Sequence, residues 1–335
     1  MKNLSKLLFT FCLLGFTGTQ VFSQQTPLYS QYMVNKFIIN PALAGANGYT
    51  DINMVARQQF VGLENAPRTF ALTAQSRLLN ESYIMRKLRV RKDANQGSIF
   101  TNVGLGGSIF SDRNGIVSKT GLQFSYAYHI NFNNRYQLSM GLSLSAFQYK
   151  LDDAGTFLVD TDDPVLMGNK KQFWIPDASF GVFFTDNRSY IGLTMTDLLG
   201  SGIKLGDDPI AENFSSLRNF NIMVGSDINL NEDFRMEPSA LLRINSIQTN
   251  VDFTTQFYYQ DTYWLGVSYR TNNTLIAMLG LNVDMFRLAY AYDVSFGAIK
   301  TYSSGSHEII LGVRFGDNST KRFRWLRKDS MEFDM

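Results

Sequence analysis

Leu122-Gln123-Phe124-Ser125-Tyr126-Ala127-Tyr128-His129-Ile130 is the stretch that decides the fold. Apolar and aromatic side chains take the even positions, with Gln, Ser, Ala and His opposite, a period of two that an extended strand turns into two distinct faces. The same alternation runs from Tyr136 to Leu144 and places Ser139, Gly141 and Ser143 on the inner face. Four successive segments near the C-terminus repeat it: Tyr263-Leu265-Val267-Tyr269, Leu275-Ala277-Leu279-Leu281, Phe286-Leu288-Tyr290-Tyr292 and Ile309-Leu311-Val313-Phe315. Their opposite faces carry Gly266, Ser268, Arg270, Gly280, Asn282, Arg287, Asp293 and Arg314. In a soluble sandwich such a polar face meets water outside, whereas in a membrane barrel it lines the lumen and the apolar face meets lipid. Run length separates the two, because many runs reach the ~9 to 11 residues that a tilted strand needs to cross a bilayer, beyond the usual ~5 to 6. Past Leu144 the phase shifts, with Phe147 and Tyr149 at odd positions, which predicts either a bulge or exit from the membrane.

Short turns recur at Arg113-Asn114-Gly115, Asn133-Asn134, Asp186-Asn187, Asn231-Glu232-Asp233 and Asn272-Asn273. These residue types accept the left-handed backbone of tight hairpins. The expected fold is therefore all-β, a transmembrane antiparallel β-barrel of about 14 strands, with the even count placing both termini in the periplasm. In that topology the long connections Asp152 to Lys171 and Leu199 to Leu217 lie outside the cell. Asn133-Asn134, Asp186-Asn187 and Asn231 to Asp233 become periplasmic turns. Two features depart from the rule of long loops outside and short turns inside: the segment Asn80 to Gly97, a long periplasmic loop, and the tail beyond Phe315.

Composition agrees. A barrel of 335 residues is one domain, since each added strand widens the wall. Phe (27) and Tyr (16) far outnumber Trp (3), a balance of strand-forming, interface-seeking rings that suits aromatic girdles. The N-terminus reads as an export signal over 1–23: Lys2 and Lys6 supply the positive end, Leu7 to Phe16 the apolar run, and Val21-Phe22-Ser23 the cleavage site, so the mature chain is expected to begin at Gln24. The apolar run is too short to span as a helix, and no later stretch reaches the ~18 apolar residues that spanning requires. Cys12, the only cysteine, lies in the signal and follows Phe11, unlike a lipoprotein site. The mature chain then has no thiol for disulfides, metal or nucleophilic catalysis. Removing Lys2 and Lys6 from 31 basic residues leaves 29 against 29 acidic ones. A neutral chain argues against nucleic acid as a partner.

Few residues suit catalysis. His129 and His307 are the two histidines, and neither sits in a nucleophile motif, so no enzyme activity and no cofactor are expected. Gly104-Leu105-Gly106-Gly107 lacks the helix start of a phosphate loop and reads as easing strand curvature or packing. Asp152, Asp153, Asp160, Asp162 and Asp163 could hold calcium if their loop folds back, of which Asp160, Asp162 and Asp163 are the candidate ligands; a solvated acidic loop is the simpler reading. Two basic clusters fall on the periplasmic side: Arg86, Lys87, Arg89, Arg91 and Lys92, and, in the tail 318–335, Lys321, Arg322, Arg324, Arg327 and Lys328. With Phe323, Trp325 and Leu326 beside them, they suit anionic lipid head groups or an acidic periplasmic partner, with a solvated tail as the alternative.

Specific words appear just after the signal: Ser30-Gln31-Tyr32-Met33, Asn35, Asn40-Pro41-Ala42-Leu43-Ala44-Gly45, Arg57-Gln58-Gln59-Phe60-Val61-Gly62 and Ala66-Pro67-Arg68-Thr69-Phe70. In their order and spacing these resemble the PorP/SprF family, which more often has Trp at the Phe60 position. The specific words cover the first quarter of the chain, and the barrel pattern covers the rest to about Phe315. The resemblance implies an outer-membrane protein of a Gram-negative bacterium, associated with the type IX secretion system of Bacteroidetes and, in some members, with gliding motility. It brings no catalytic residues. Physically, Pro41 and Gly45 punctuate an amide-rich strap over 24–48, ahead of a barrel over 49–317. Gln31, Asn35 and Asn40 can satisfy backbone groups at the periplasmic rim or within the lumen, and a plain turn into the first strand is the alternative. With Pro41, Arg86, Arg89, Arg322, Arg324 and Trp325, they form the expected partner-binding set. The expected role is to help export, or anchor at the surface, a large adhesin-like substrate, alongside other secretion or motility components and outer-membrane lipid. A diffusion channel or hydrophobic-solute transporter is the alternative, since about fourteen strands can leave a lumen.

Overall fold

The computed structural model describes residues 28–78, 102–132, 136–151, 172–186, 188–200, 202–204, 213–215 and 218–315. Its strands in chain order are β1 (Thr50–Gln58), β2 (Arg68–Arg77), β3 (Val103–Asn114), β4 (Val117–Phe132), β5 (Tyr136–Leu151), β6 (Gln172–Thr185), β7 (Ser189–Thr196), β8 (Gly202–Lys204), β9 (Asn213–Ser215), β10 (Asn219–Ser226), β11 (Ile228–Asn229), β12 (Phe234–Ile244), β13 (Thr249–Tyr259), β14 (Tyr263–Arg270), β15 (Thr274–Val283), β16 (Phe286–Ser295) and β17 (Ser306–Phe315). All but β8, β9 and β11 form one closed antiparallel barrel of 14 strands. Sequence neighbours pair throughout, β10 pairs β12, and β1 closes the ring against β17. The strands β8 and β9 form a separate ribbon within the β7–β10 connection, and β11 extends the β12 edge.

Alternation sorts the side chains as expected. Leu144 and Leu265 point outward, 62% and 66% exposed, while Ser125, Ser139 and Ser143 between such positions are buried in the lumen. An apolar band this exposed is stable only against hydrocarbon. Outward aromatics gather near the strand ends: Tyr136 stacks on Phe184 with ring centroids 5.9 Å apart, and Phe234 meets Tyr259 at 5.0 Å. Among the described residues no helix is long and apolar enough to cross a membrane.

The wall is uneven. The strands β4 and β5 run 16 residues each, whereas β7 and β10 run 8. Pairing of β4 with β5 is unbroken from Val117 opposite Leu151 to Phe132 opposite Tyr136, so the phase shift past Leu144 is not a bulge. The outward face there becomes Ala146, Gln148 and Lys150, and the strands outrun the apolar band. Phe147 turns into the lumen opposite Gly121, which leaves room for its ring, and packs on Phe110 at 5.5 Å with the Lys119 ammonium 4.1 Å above its ring.

The rim where β1 begins and β17 ends (the near rim) also carries the connections 133–135, 186–188, 260–262 and 284–285. The far rim carries 59–67, 115–116, 152–171, 197–218, 245–248, 271–273 and 296–305. Gly115 (φ +62°) and Asn273 (φ +60°) supply left-handed backbone at two of the expected turns. Ahead of β1, residues 28–49 run through the lumen. Leu28 lies at the far rim, in a pocket with Gln59, Phe60, Asn272 and Ile299. Gly45 and Ala46 reach Gln75 and Gln137 at the near rim, where Thr50 pairs Phe315. Leu28, the first described residue, and Phe315, the last, therefore lie at opposite rims. An even strand count keeps the barrel's own ends together, but the strap adds one more crossing before β1.

Candidate functional site

On one side the strap is seated by shape. Asn40 is its pivot: its side-chain oxygen accepts from Ala42 N–H at 2.9 Å, capping a single 3-10 turn, Pro41–Leu43, with proline at the position that needs no donor. Its amide nitrogen donates to the carbonyls of Val182 on β6 and Leu193 on β7, at 3.1 and 3.4 Å. So close an approach of chain to wall requires bare backbone. A Cβ on Gly181 would overlap the Asn40 side chain, one on Gly141 the backbone of Pro41 and Ala42, one on Gly104 the Ala44 carbonyl, and one on Gly106 the Phe37 ring. The Ala44 carbonyl also accepts from His129 Nε2 at 2.9 Å. Tyr32, Met33, Phe37, Ala42 and Leu43 pack with Phe183, Met223 and Leu241 into a core inside the barrel. Each large apolar side chain buried there contributes roughly 1.5–3 kcal/mol.

On the other side the strap is held by charge. Glu308 on β17 is fully buried and accepts from the backbone N–H groups of Ser30 and Gln31, both at 2.9 Å. Arg57 on β1, its register partner across the closing seam, donates to Glu308 at 3.2 Å, to Asp293 on β16 at 2.7 Å and to the Ser30 hydroxyl at 2.6 Å. The Ser30 hydroxyl donates onward to Asp293 at 2.7 Å. Farther along, Arg287 donates to the Val34 carbonyl at 2.6 Å and to Asp51 at 3.2 Å, and Lys36 pairs with Glu237 at 2.7 Å. Asn35 donates to Thr73 at 2.9 Å, and the Tyr32 hydroxyl lies 3.0 Å from that of Ser239. Charges this buried are tolerated because each is paired and hydrogen-bonded; removing one partner strands the rest.

Gln31, Asn35, Asn40 and Pro41, expected to bind a partner, are buried in the lumen, and what their contacts reach is the barrel's own wall. Amides chosen to satisfy backbone groups do so here within one chain. Gly104 and Gly106 are strap seats rather than aids to curvature alone. His129 lies 2.7 Å from the Ser139 hydroxyl, a contact like that of a nucleophile and its base. Both residues are fully buried and Nε2 serves the Ala44 carbonyl, so the pair is structural. His307 meets the Tyr290 hydroxyl at 2.7 Å. Arg86, Arg89, Arg322, Arg324, Trp325, Asp160, Asp162 and Asp163 lie outside the described residues, as do the candidate calcium loop and both basic clusters. Glu308 and Gly181 gained no role from sequence, although the alternation that turns Ile309 and Leu311 outward turns Glu308 inward.

The site is thus a fully walled barrel whose lumen is packed by its own N-terminal segment. The family profile for the type IX secretion system membrane protein PorP/SprF matches residues 21–313. The chain belongs to the PorP/SprF family. It is thus an outer-membrane β-barrel of a type IX secretion system, in a family of secretion membrane proteins and not of enzymes. No curated protein matches the chain. Similar solved structures include the KdgM porin in complex with disordered oligogalacturonate, at 9% identity and TM-score 0.33, covering 81% of this chain and 99% of that one. Another is the CymD monoaromatic hydrocarbon channel, at 12% identity and TM-score 0.44, covering 86% and 92%. These likenesses concern the barrel fold alone.

Proposed function

We propose that this PorP/SprF protein is a scaffold that helps export, or holds at the cell surface, a large adhesin-like substrate of the type IX system, with gliding motility as one setting for that role. The observation that supports this reading over a solute channel is the filled lumen. Residues 28–46 bridge opposite walls and are fixed at the far rim by the Arg57, Asp293 and Glu308 cluster and at the near rim by Gly45 and Ala46. In the proposed orientation the far rim faces outward, offering the connections 152–171 and 197–218 to the exported partner, since loops on a rigid barrel suit binding. The near rim faces the periplasm, where the Arg86 and Arg89 loop and the tail with Arg322, Arg324 and Trp325 meet secretion components or anionic lipid. Export would follow cleavage after Ser23.

Deleting 152–171, or shortening 197–218, should leave a folded barrel but lower co-purification of a secreted surface protein and release that protein into the medium. Truncation after Asp317 should weaken periplasmic contacts instead. Normal surface display in a strain lacking the protein would contradict the scaffold role.

A further inference from the structure

We propose that the two ends of the chain emerge on opposite sides of the outer membrane, the N-terminal end on the face that carries the long connections. The described chain begins at Leu28, which with Phe60 and Ile299 lines a pocket of about 190 Å³ at the far rim. The next carbonyl, Tyr29, is met by Arg243 near the far end of β12, and Ser30 is clasped by Arg57 near the far end of β1. From there the strap descends to Val34, met by Arg287, and Lys36, paired with Glu237, near the opposite rim on β16 and β12, crosses to β6 and β7 at Asn40, and leaves at the near rim beside Ser76. Fourteen strands return the chain to that same rim at Phe315. The total is an odd number of crossings.

The route is fixed rather than threaded loosely. Glu308 holds Ser30 and Gln31 at one end, and the glycine seats hold Asn40 to Ala44 toward the other. For the N-terminal end to return to the near rim it would have to share a lumen already packed by residues 28–46. A chain end on each face lets one barrel carry partners on both sides with no added domain. That the N-terminal face is the outer one rests on the orientation proposed above; the oppositeness of the two ends does not.

The cysteine-free mature sequence makes the test direct. Thr26→Cys and Ser319→Cys, made singly, are labelled on intact cells with a membrane-impermeant maleimide. Asn272→Cys at the far rim and Met285→Cys at the near rim serve as side markers, and heat-modifiable migration in gels confirms folding. Thr26→Cys should label with Asn272→Cys on intact cells, and Ser319→Cys with Met285→Cys only after the outer membrane is permeabilised. If Thr26→Cys fails to fold, Gln25→Cys replaces it. Labelling of Thr26→Cys together with Met285→Cys and Ser319→Cys, or no labelling of it in any folded sample, overturns the proposal. Reversed markers with the two chain ends still apart would refute the orientation alone.

Discussion

Along β3 to β7 the strap rests on backbone, because Gly104, Gly106, Gly141 and Gly181 present no side chain where it passes. Along β16, β17 and β1 it is gripped by Asp293, Glu308 and Arg57, each almost wholly buried. The difference separates position from commitment. A glycine seat admits a chain of the right shape and fixes its height, but bare backbone offers little to choose one sequence over another. The charged side is selective, since Ser30 and Gln31 add four hydrogen bonds to three ionic groups from three strands. It also straddles the seam between first and last strands, so seating the strap and closing the barrel share the same contacts.

Breaking the charged side should cost most. Glu308→Leu takes the acceptor from two buried backbone donors and one of two carboxylate partners from Arg57, and should destabilise the folded barrel by about 3–5 kcal/mol in denaturant titrations in lipid. Adding Arg57→Met should deepen that loss, because buried Asp293 then loses its ion-pair partner. A Glu308→Leu barrel of unchanged stability would show that the network is incidental. The outer face sets a scale for the same assay: Leu279→Arg, directed at lipid, should cost ~2–4 kcal/mol if it lies near the midplane. An undisturbed Leu279→Arg barrel would argue against a lipid-facing surface there.

Much of this architecture was legible. Period-two alternation assigned lumen and lipid faces correctly through Leu122 to Ile130 and in the four C-terminal segments, because each strand has one face in hydrocarbon and the code is binary. The strap's path was not legible, since Gln31, Asn35 and Asn40 reveal that they need partners but not which ones. Their partners, Glu308, Thr73, Val182 and Leu193, lie 38 to 277 residues away in sequence. Arg57 could be read only as part of a family word. The turn at Asp284 and Met285, with φ +49° at Asp284, lacks the Asn or Gly that marked the others.

The shape side sharpens the comparison more gently. Gly181→Val should cost about 1–3 kcal/mol, because the Asn40 side chain must shift and the strap with it. Its signature should be added protease sensitivity of the strap rather than loss of the barrel; equal protection of strap and wall would contradict the seat. Smallest is Asn40→Ala, which removes the cap and two donations to the wall and should cost about 0.5–2 kcal/mol. A larger loss than for Glu308→Leu would invert the ranking of the two sides.

Conductance across planar bilayers tests the filled lumen most directly. Purified protein should pass little steady current, and a variant lacking residues 28–45, checked for a folded barrel, should pass much more. Large, steady conductance from the intact protein, unchanged by removing the strap, would contradict the account.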